Sequence, residues 1–199
     1  SRNEQVGCTR CLDLCPTNAI TPAGDHIEID PFICAGCGSC ASTCPTGAVT
    51  YTLPAGDQLL NRLRTIVGTY LDAGGEAPVI LVHDGEHGDE LIGIMARMGK
   101  GLPANVIPFA VNETTQGGLD FLVSVFAYGA SELRLLVAPQ KRSDADGLVA
   151  QVELADQVLA GLGYGDGRIQ IIDDADPSQV EDHLHSLEKV AGIARGDFL

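Results

Sequence analysis

All seven cysteines of the 199-residue chain lie between Cys8 and Cys44. Crowding of that kind needs a local cause. Seven is an odd number, so pairing into disulfides would leave one over, and the spacing reads instead as ligand sets that a reducing cytosol would preserve. The second run is Cys34-Ala-Gly-Cys37-Gly-Ser-Cys40-Ala-Ser-Thr-Cys44-Pro45, a C-x2-C-x2-C-x3-C-P pattern. The first is Cys8-Thr-Arg-Cys11-Leu-Asp-Leu-Cys15-Pro16, the same pattern without its leading cysteine. Two C-x2-C pairs are enough for a four-cysteine zinc site, but that leaves too many thiolates over, and the full spacing is the iron-sulfur signature. The chemistry it implies is one-electron transfer through a cubane cluster.

A cubane offers iron at its corners and takes several thiolates from one tight loop, and C-x2-C-x2-C supplies three. The last cysteine of each run begins a short helix that leads away, so in this pattern it serves the other cluster. On that basis Cys34, Cys37, Cys40 and Cys15 are expected to hold one complete 4Fe-4S cluster. Cys8, Cys11 and Cys44 are expected to hold a second cluster, of 4Fe-4S or 3Fe-4S type, whose fourth thiolate is missing. Ala35, Gly36, Gly38 and Ser39 are small enough for backbone N–H groups to approach the sulfur atoms and offset their charge.

Residues 1–52 resemble the bacterial double-cluster ferredoxins, through both cysteine runs and the near-repeat of Cys15-Pro-Thr-Asn-Ala-Ile20 and Cys44-Pro-Thr-Gly-Ala-Val49. The stretch His26–Asp30 alternates like a short strand after the turn at Ala23-Gly24-Asp25, as the central hairpin of that fold would. The departure from the family is Gln5, which stands where the first cysteine is usual. Three explanations are open: a thiolate from upstream of Ser1, a 3Fe-4S cluster needing only three thiolates, or a lost or labile first cluster.

The elements around these loops are bounded by composition. Twelve basic against 27 acidic side chains give a net charge of −15, and 45% of residues are hydrophobic. That suits a globular chain of one medium or two small domains, with no window of about 18 unbroken apolar residues for a membrane helix. The acidic balance argues against nucleic acid or membrane insertion and for redox protein partners with basic docking surfaces. The chain opens Ser1-Arg2-Asn3 with neither Met nor a leader pattern, which suggests a piece of a longer protein.

After Tyr51 the pattern changes. Leu53-Pro-Ala-Gly56 is a turn-rich joint, and Leu59, Leu60, Leu63, Ile66, Val67, Tyr70 and Leu71 recur at helical spacing before a stop at Gly74-Gly75. Residues 79–82, 106–111, 133–137 and 169–172 read as strands, and 88–99, 117–129, 144–162 and 177–191 as helices. Four alternations mean right-handed crossovers and a parallel sheet covered on both faces. The expected division is a double-cluster ferredoxin domain at 1–52, a linker and connecting helix at 53–76, and a docking or relay domain at 77–199. The expected fold class is an α+β ferredoxin-like iron-sulfur domain joined to an α/β three-layer domain with a four-stranded parallel sheet, flavodoxin-like or Rossmann-like.

Two loops at the C-terminal strand ends, where such sheets collect ligands, contain polar residues. His83-Asp-Gly-Glu-His87-Gly-Asp-Glu90 reads as a solvated loop near a helix N-cap, with a metal or substrate site as its sharper alternative. Asn112-Glu-Thr-Thr-Gln-Gly-Gly118 reads as packing or an N-cap, with anion binding as its alternative. Gly161-Leu-Gly-Tyr-Gly165 follows a helix and precedes a strand, so it is a helix stop and not a dinucleotide loop. His183 and His185, two apart on the last helix, are expected at the surface.

Residues 78–175, through Gly117–Pro139 and the later Gly163-Tyr-Gly-Asp-Gly-Arg168-Ile-Gln-Ile171, look like the delta-subunit domain of methyl-viologen-reducing hydrogenase and its heterodisulfide reductase relatives. Where that family has cluster cysteines, this chain has Pro139-Gln-Lys-Arg142. The resemblance implies a docking or relay domain in a larger cytoplasmic redox complex. The expected function is single-electron transfer, as a module of an oxidoreductase and not a catalytic unit by itself. The alternative is a redox enzyme subunit binding a small molecule or metal near His83, His87 or Asn112.

Overall fold

The computed structural model describes residues 7–190. The elements at the N-terminal end are short. Helix α1 (Arg10–Asp13) leads to the antiparallel hairpin β1 (Ile20–Ala23) and β2 (His26–Ile29), then to α2 (Ser39–Ser42). Gly24 turns the hairpin at φ +70°, a conformation that glycine adopts without the steric cost a side chain would add. The hairpin lies where the alternation at His26–Asp30 predicts it.

Helix α3 (Gly56–Asp72) buries Leu59, Leu63 and Val67, one position per turn. It ends where Gly74, at φ +85°, lets the Gly74 and Gly75 N–H groups turn back to the carbonyls of Leu71 and Tyr70. Four strands and four helices then alternate: β3 (Val79–His83), α4 (His87–Met98), β4 (Val106–Ala110), α5 (Leu119–Ala127), β5 (Glu132–Leu136), α6 (Asp146–Gly161), β6 (Ile169–Ile172) and α7 (Pro177–His185). The strands form one parallel sheet in the order β4-β3-β5-β6. The central strands β3 and β5 are buried throughout; β3 is accordingly an apolar run up to His83, while β5 opens on Glu132 and interrupts its leucines with Arg134.

Alternate residues on the strands serve two cores. Ile80, Val82, Phe109, Leu133 and Leu135 pack with α3, α5 and α6, while Val79, Leu81, Val106 and Leu136 pack with α4 and α7. The parallel sheet with helices on both faces is thus as expected, with α3 lying in the first core. Among the described residues no helix is long and apolar enough to cross a membrane.

Three details depart from the expectations. The 117–129 helix begins only at Leu119, because Thr114–Gln116 form a separate 3-10 turn and Gly117-Gly118 run extended. Helix α7 ends at His185, where the Ser186 hydroxyl binds the His183 carbonyl and Leu187 turns onto the second core; residue 191 lies outside the described residues. His183 is half-buried and not fully at the surface: burial, and then the charge of Arg134, push its pKa down, whereas His185 is exposed and its Nε2 meets the Gly101 carbonyl at 2.9 Å.

Arg134 is itself 1% exposed and pairs with Glu132, 8% exposed, at 3.1 Å on the same face of β5. Its Nη1 also donates to the carbonyls of Leu133 and Arg168. Breaking such a pair strands a buried carboxylate, so Arg134→Met is expected to cost about 3–5 kcal/mol in urea unfolding. Adding Glu132→Leu should recover most of the loss, and a double variant no better than the single would contradict this account.

Candidate iron-sulfur site

The two Cys-Pro-Thr-x-Ala segments fold alike. Asn18 and Gly47 occupy the same place after the cysteine and both adopt left-handed φ, +53° and +67°. That turn brings the following amides back toward the sulfur. Cys15 Sγ accepts the Ala19 N–H at 3.2 Å and lies 3.6 Å from Thr17 Oγ1; Cys44 Sγ lies 3.6 Å from Thr46 Oγ1. Burial alone would raise the Cys15 pKa, but the Thr17 hydroxyl and the N–H groups of Ala19, Thr17 and Ile20 outweigh it and lower it. For Cys44 the Val49 N–H is the largest influence, opposed by burial and supported by Thr46, and the pKa falls from 9.0 to about 7. Both loops are nests for a thiolate.

The lowered value has a direct consequence in the metal-free chain. Cys44 is protonated below about pH 7 and a thiolate above it, so iodoacetamide labelling of Cys44 followed by mass spectrometry should rise with a midpoint near that pH. Thr46→Val should move the midpoint upward. A parent midpoint near the ordinary value would count against the nest.

All seven cysteines are free, and one set, Cys8, Cys11 and Cys44, draws on both runs. Burial pushes the Cys11 thiol up, as do, more weakly, the thiolates of Cys44 and Cys8, so Cys44 of the second run keeps company with two cysteines of the first. Cys40 is raised by burial and by Cys37 and Cys34. Helix α1 packs against α2, which is what crosses the runs. Cys34 Sγ accepts the Gly36 N–H at 3.4 Å, with Gly36 at φ +69°. The strongest interactions of Cys15 are within its own loop. Gln5 lies outside the described residues.

These residues fit an iron-sulfur cluster. The thiols are unpaired, gathered by threes, supplied with N–H donors, and in mutual repulsion that a cationic iron core would relieve. Among the described residues no three Cys, His, Asp or Glu side chains converge as a single ion requires; a cubane takes thiolates that stand further apart.

The second cysteine loop is clamped by the α/β layers. Tyr51 Oη donates to the Gly36 carbonyl at 2.8 Å and accepts from Asn112 Nδ2 at 2.6 Å. Thr115 Oγ1 donates to the Cys37 carbonyl at 2.6 Å. Burial is the main cause that raises the Tyr51 pKa, which keeps the phenol protonated as a donor. A side chain on Gly118 would meet the Ser42 carbonyl at 2.8 Å, so this glycine permits the close approach of α2. The 112–118 loop therefore serves packing: Glu113 and Gln116 form a reciprocal capping box, and the Leu119 N–H is taken by Gln151. Sequence alone does not single out Tyr51 or Thr115. A cleft of about 550 Å3 beside the clamp is lined by Arg10, Cys44, Tyr51, Leu59, Gln116 and Asp120 among others.

The His83 loop is a helix entry. Asp84 Oδ1 accepts the N–H groups of Gly88 at 2.8 Å and Glu86 at 3.2 Å, and His83 Nδ1 lies 3.2 Å from Asp89 Oδ1. Lys141 joins this loop to the next, with Nζ 2.8 Å from Glu113 Oε2 and 3.9 Å from Asp84 Oδ2. Burial lowers the Lys141 pKa, but Glu113 and Asp84 outweigh it and hold the ammonium charged. A smaller cleft of about 390 Å3 between β3 and β5 is lined by Asp84, Glu86, His87, Glu90, Gln140 and Lys141. The glycines after α6, Gly163 and Gly165 at φ +87° and +84°, form the expected stop.

With this geometry in view, residues 6–48 match the family model described as the 4Fe-4S dicluster domain. No curated protein matches the chain. The matched part is a 4Fe-4S ferredoxin-type segment. The chain thereby carries an iron-sulfur electron-transfer module beside a four-stranded parallel α/β sheet.

Proposed function

We propose that the chain passes single electrons within a larger cytoplasmic redox complex. Cys34, Cys37, Cys40 and Cys15 hold one 4Fe-4S cluster; Cys8, Cys11 and Cys44 hold a second, of 3Fe-4S type or of 4Fe-4S type with its fourth ligand supplied from elsewhere. The observation that carries this is the company Cys44 keeps with Cys8 and Cys11 across the two runs. Bound clusters supply one-electron redox chemistry. The protein's part is to hold thiolates, aim N–H groups at sulfur and limit solvent, and each of these sets the potential.

In this reading residues 1–52 form the double-cluster unit, 53–76 the joint, and 77–199 a flavodoxin-like docking or relay unit akin to the delta-subunit domain of methyl-viologen-reducing hydrogenase. The clamp of Tyr51, Asn112 and Thr115 would fix the cluster loop against that unit. The chain's net charge of −15 favours partners with basic docking surfaces. Anaerobic reconstitution followed by iron and acid-labile sulfide assay should give about seven or eight iron atoms per chain. The reduced chain should give up electrons to a protein acceptor at a rate that falls with salt. The alternative, a redox enzyme subunit with a ligand in the cleft at Asp84 and His87, rests on that cleft's place at the strand order's switch point. Iron-free protein holding a small molecule there would favour it.

A further inference from the structure

Of the four phenylalanines among the described residues, Phe109, Phe121 and Phe126 are buried, and Phe32 is 97% exposed. Its neighbours Ile33 and Ile29 are 50% and 40% exposed. The exposure is built in. Asp30 Oδ1 accepts the Phe32 N–H at 2.9 Å, and the Asp30 carbonyl accepts the N–H groups of Cys34 at 2.9 Å and Ile33 at 3.3 Å. These bonds hold a tight turn with Phe32 on it, two residues before the exposed cysteine Cys34. A fixed apolar knuckle in water is a contact surface awaiting an apolar counterpart.

Its electrical setting narrows the counterpart. No Lys or Arg occurs between Arg10 and Arg62, whereas Asp25, Glu28 and Asp30 flank the knuckle and are exposed. A second copy of the chain would bring the same negative rim and be repelled. Resting on the electron-transfer reading above, we propose that Phe32 with Ile33 and Ile29 is the docking knuckle of the Cys34 side of the module. Its partner is a redox protein presenting an apolar depression ringed by Lys or Arg. The partner's centre then approaches the thiolate end of the segment, and the carboxylates orient the encounter.

The test uses the reconstituted, dithionite-reduced chain and two oxidants: cytochrome c, whose haem edge sits in a lysine-ringed apolar surface, and ferricyanide, which needs no docking. Phe32→Ser is expected to lower the second-order rate with cytochrome c by about tenfold at low salt, the size of a central contact residue's effect. It should leave the ferricyanide rate and the EPR spectrum unchanged. Asp25→Asn with Glu28→Gln should flatten the salt dependence with cytochrome c. Leu162→Ser, at a 66% exposed position after α6, should do neither. A Phe32→Ser rate equal to the parent's, or an equal loss from Leu162→Ser, overturns the docking knuckle alone. A chain that reduces neither oxidant overturns the electron-transfer reading and the knuckle with it. A dimer abolished by Phe32→Ser in sedimentation would make the occupant a second copy and overturn the choice of partner.

Discussion

Replacing Cys37 with Ala is expected to remove about half of the iron and acid-labile sulfide and to leave the set around Cys8 and Cys11 loaded. Cys37 is the middle thiol of the second loop, and its carbonyl stays bound by Thr115 whatever the side chain, so the backbone has reason to hold its place. Cys8→Ala should do the reverse. The sharpest variant is Cys44→Ala. Although it belongs to the second run, its neighbours are Cys11 and Cys8, so its loss should damage the cluster of the first run and spare that of Cys34, Cys37 and Cys40. EPR of the reduced variants separates the two. If Cys44→Ala and Cys37→Ala erased the same signal, the crossed arrangement would be wrong.

Gly38→Ala is expected to destabilise the chain and loosen the second cysteine loop. Gly38 sits at φ +79° between Cys37 and Cys40, and an added Cβ would stand 2.8 Å from Gln116 Cβ, 3.0 Å from Gln116 Cα and 3.1 Å from Tyr51 Cδ2. The left-handed backbone costs an alanine about 1–2 kcal/mol. Overpacking against Gln116, whose backbone atom cannot swing aside, adds about 1–3 kcal/mol. Gly36→Ala is the control, because Gly36 is also left-handed, at φ +69°, but an added Cβ there meets nothing within 4 Å. The metal-free Gly38→Ala chain should therefore unfold in less urea than the Gly36→Ala chain, and its reconstituted form should release iron faster to a chelator. Equal behaviour of the two would mean that the α/β layers do not hold the cluster loop.

The cysteine loops and the four strands were legible because their signals are local: ligand spacing in one case, short apolar runs bounded by turns in the other. The left-handed turn shared by Asn18 and Gly47 was half visible in the Cys-Pro-Thr-x-Ala repeat, since Asn and Gly are the residues that tolerate it. The clamp was not visible. Tyr51, Asn112 and Thr115 are ordinary polar residues, and what makes them functional is that Asn112 meets Tyr51, 61 positions away, and Thr115 meets Cys37, 78 away. Glu132 and Arg134 were obscured for a related reason: alternate charges on a strand suggest a solvated face, and only the tertiary packing, with His183 of α7 near them, buries the pair. The half-burial of His183 follows from the same packing, which brings it near that pair. Phe32 lies just before the second cysteine run, and nothing in its neighbours' identity announces whether a turn points an aromatic inward or out.

The most direct test of the central claim is EPR of the anaerobically prepared chain, as isolated and after dithionite. Two magnetically interacting clusters after reduction, or one reduced 4Fe-4S cluster together with a 3Fe-4S signal before it, is the result expected of two cluster sites filled by crossed cysteine sets. A chain that takes up no iron and sulfide under reconstitution, and shows neither signal, would contradict the account.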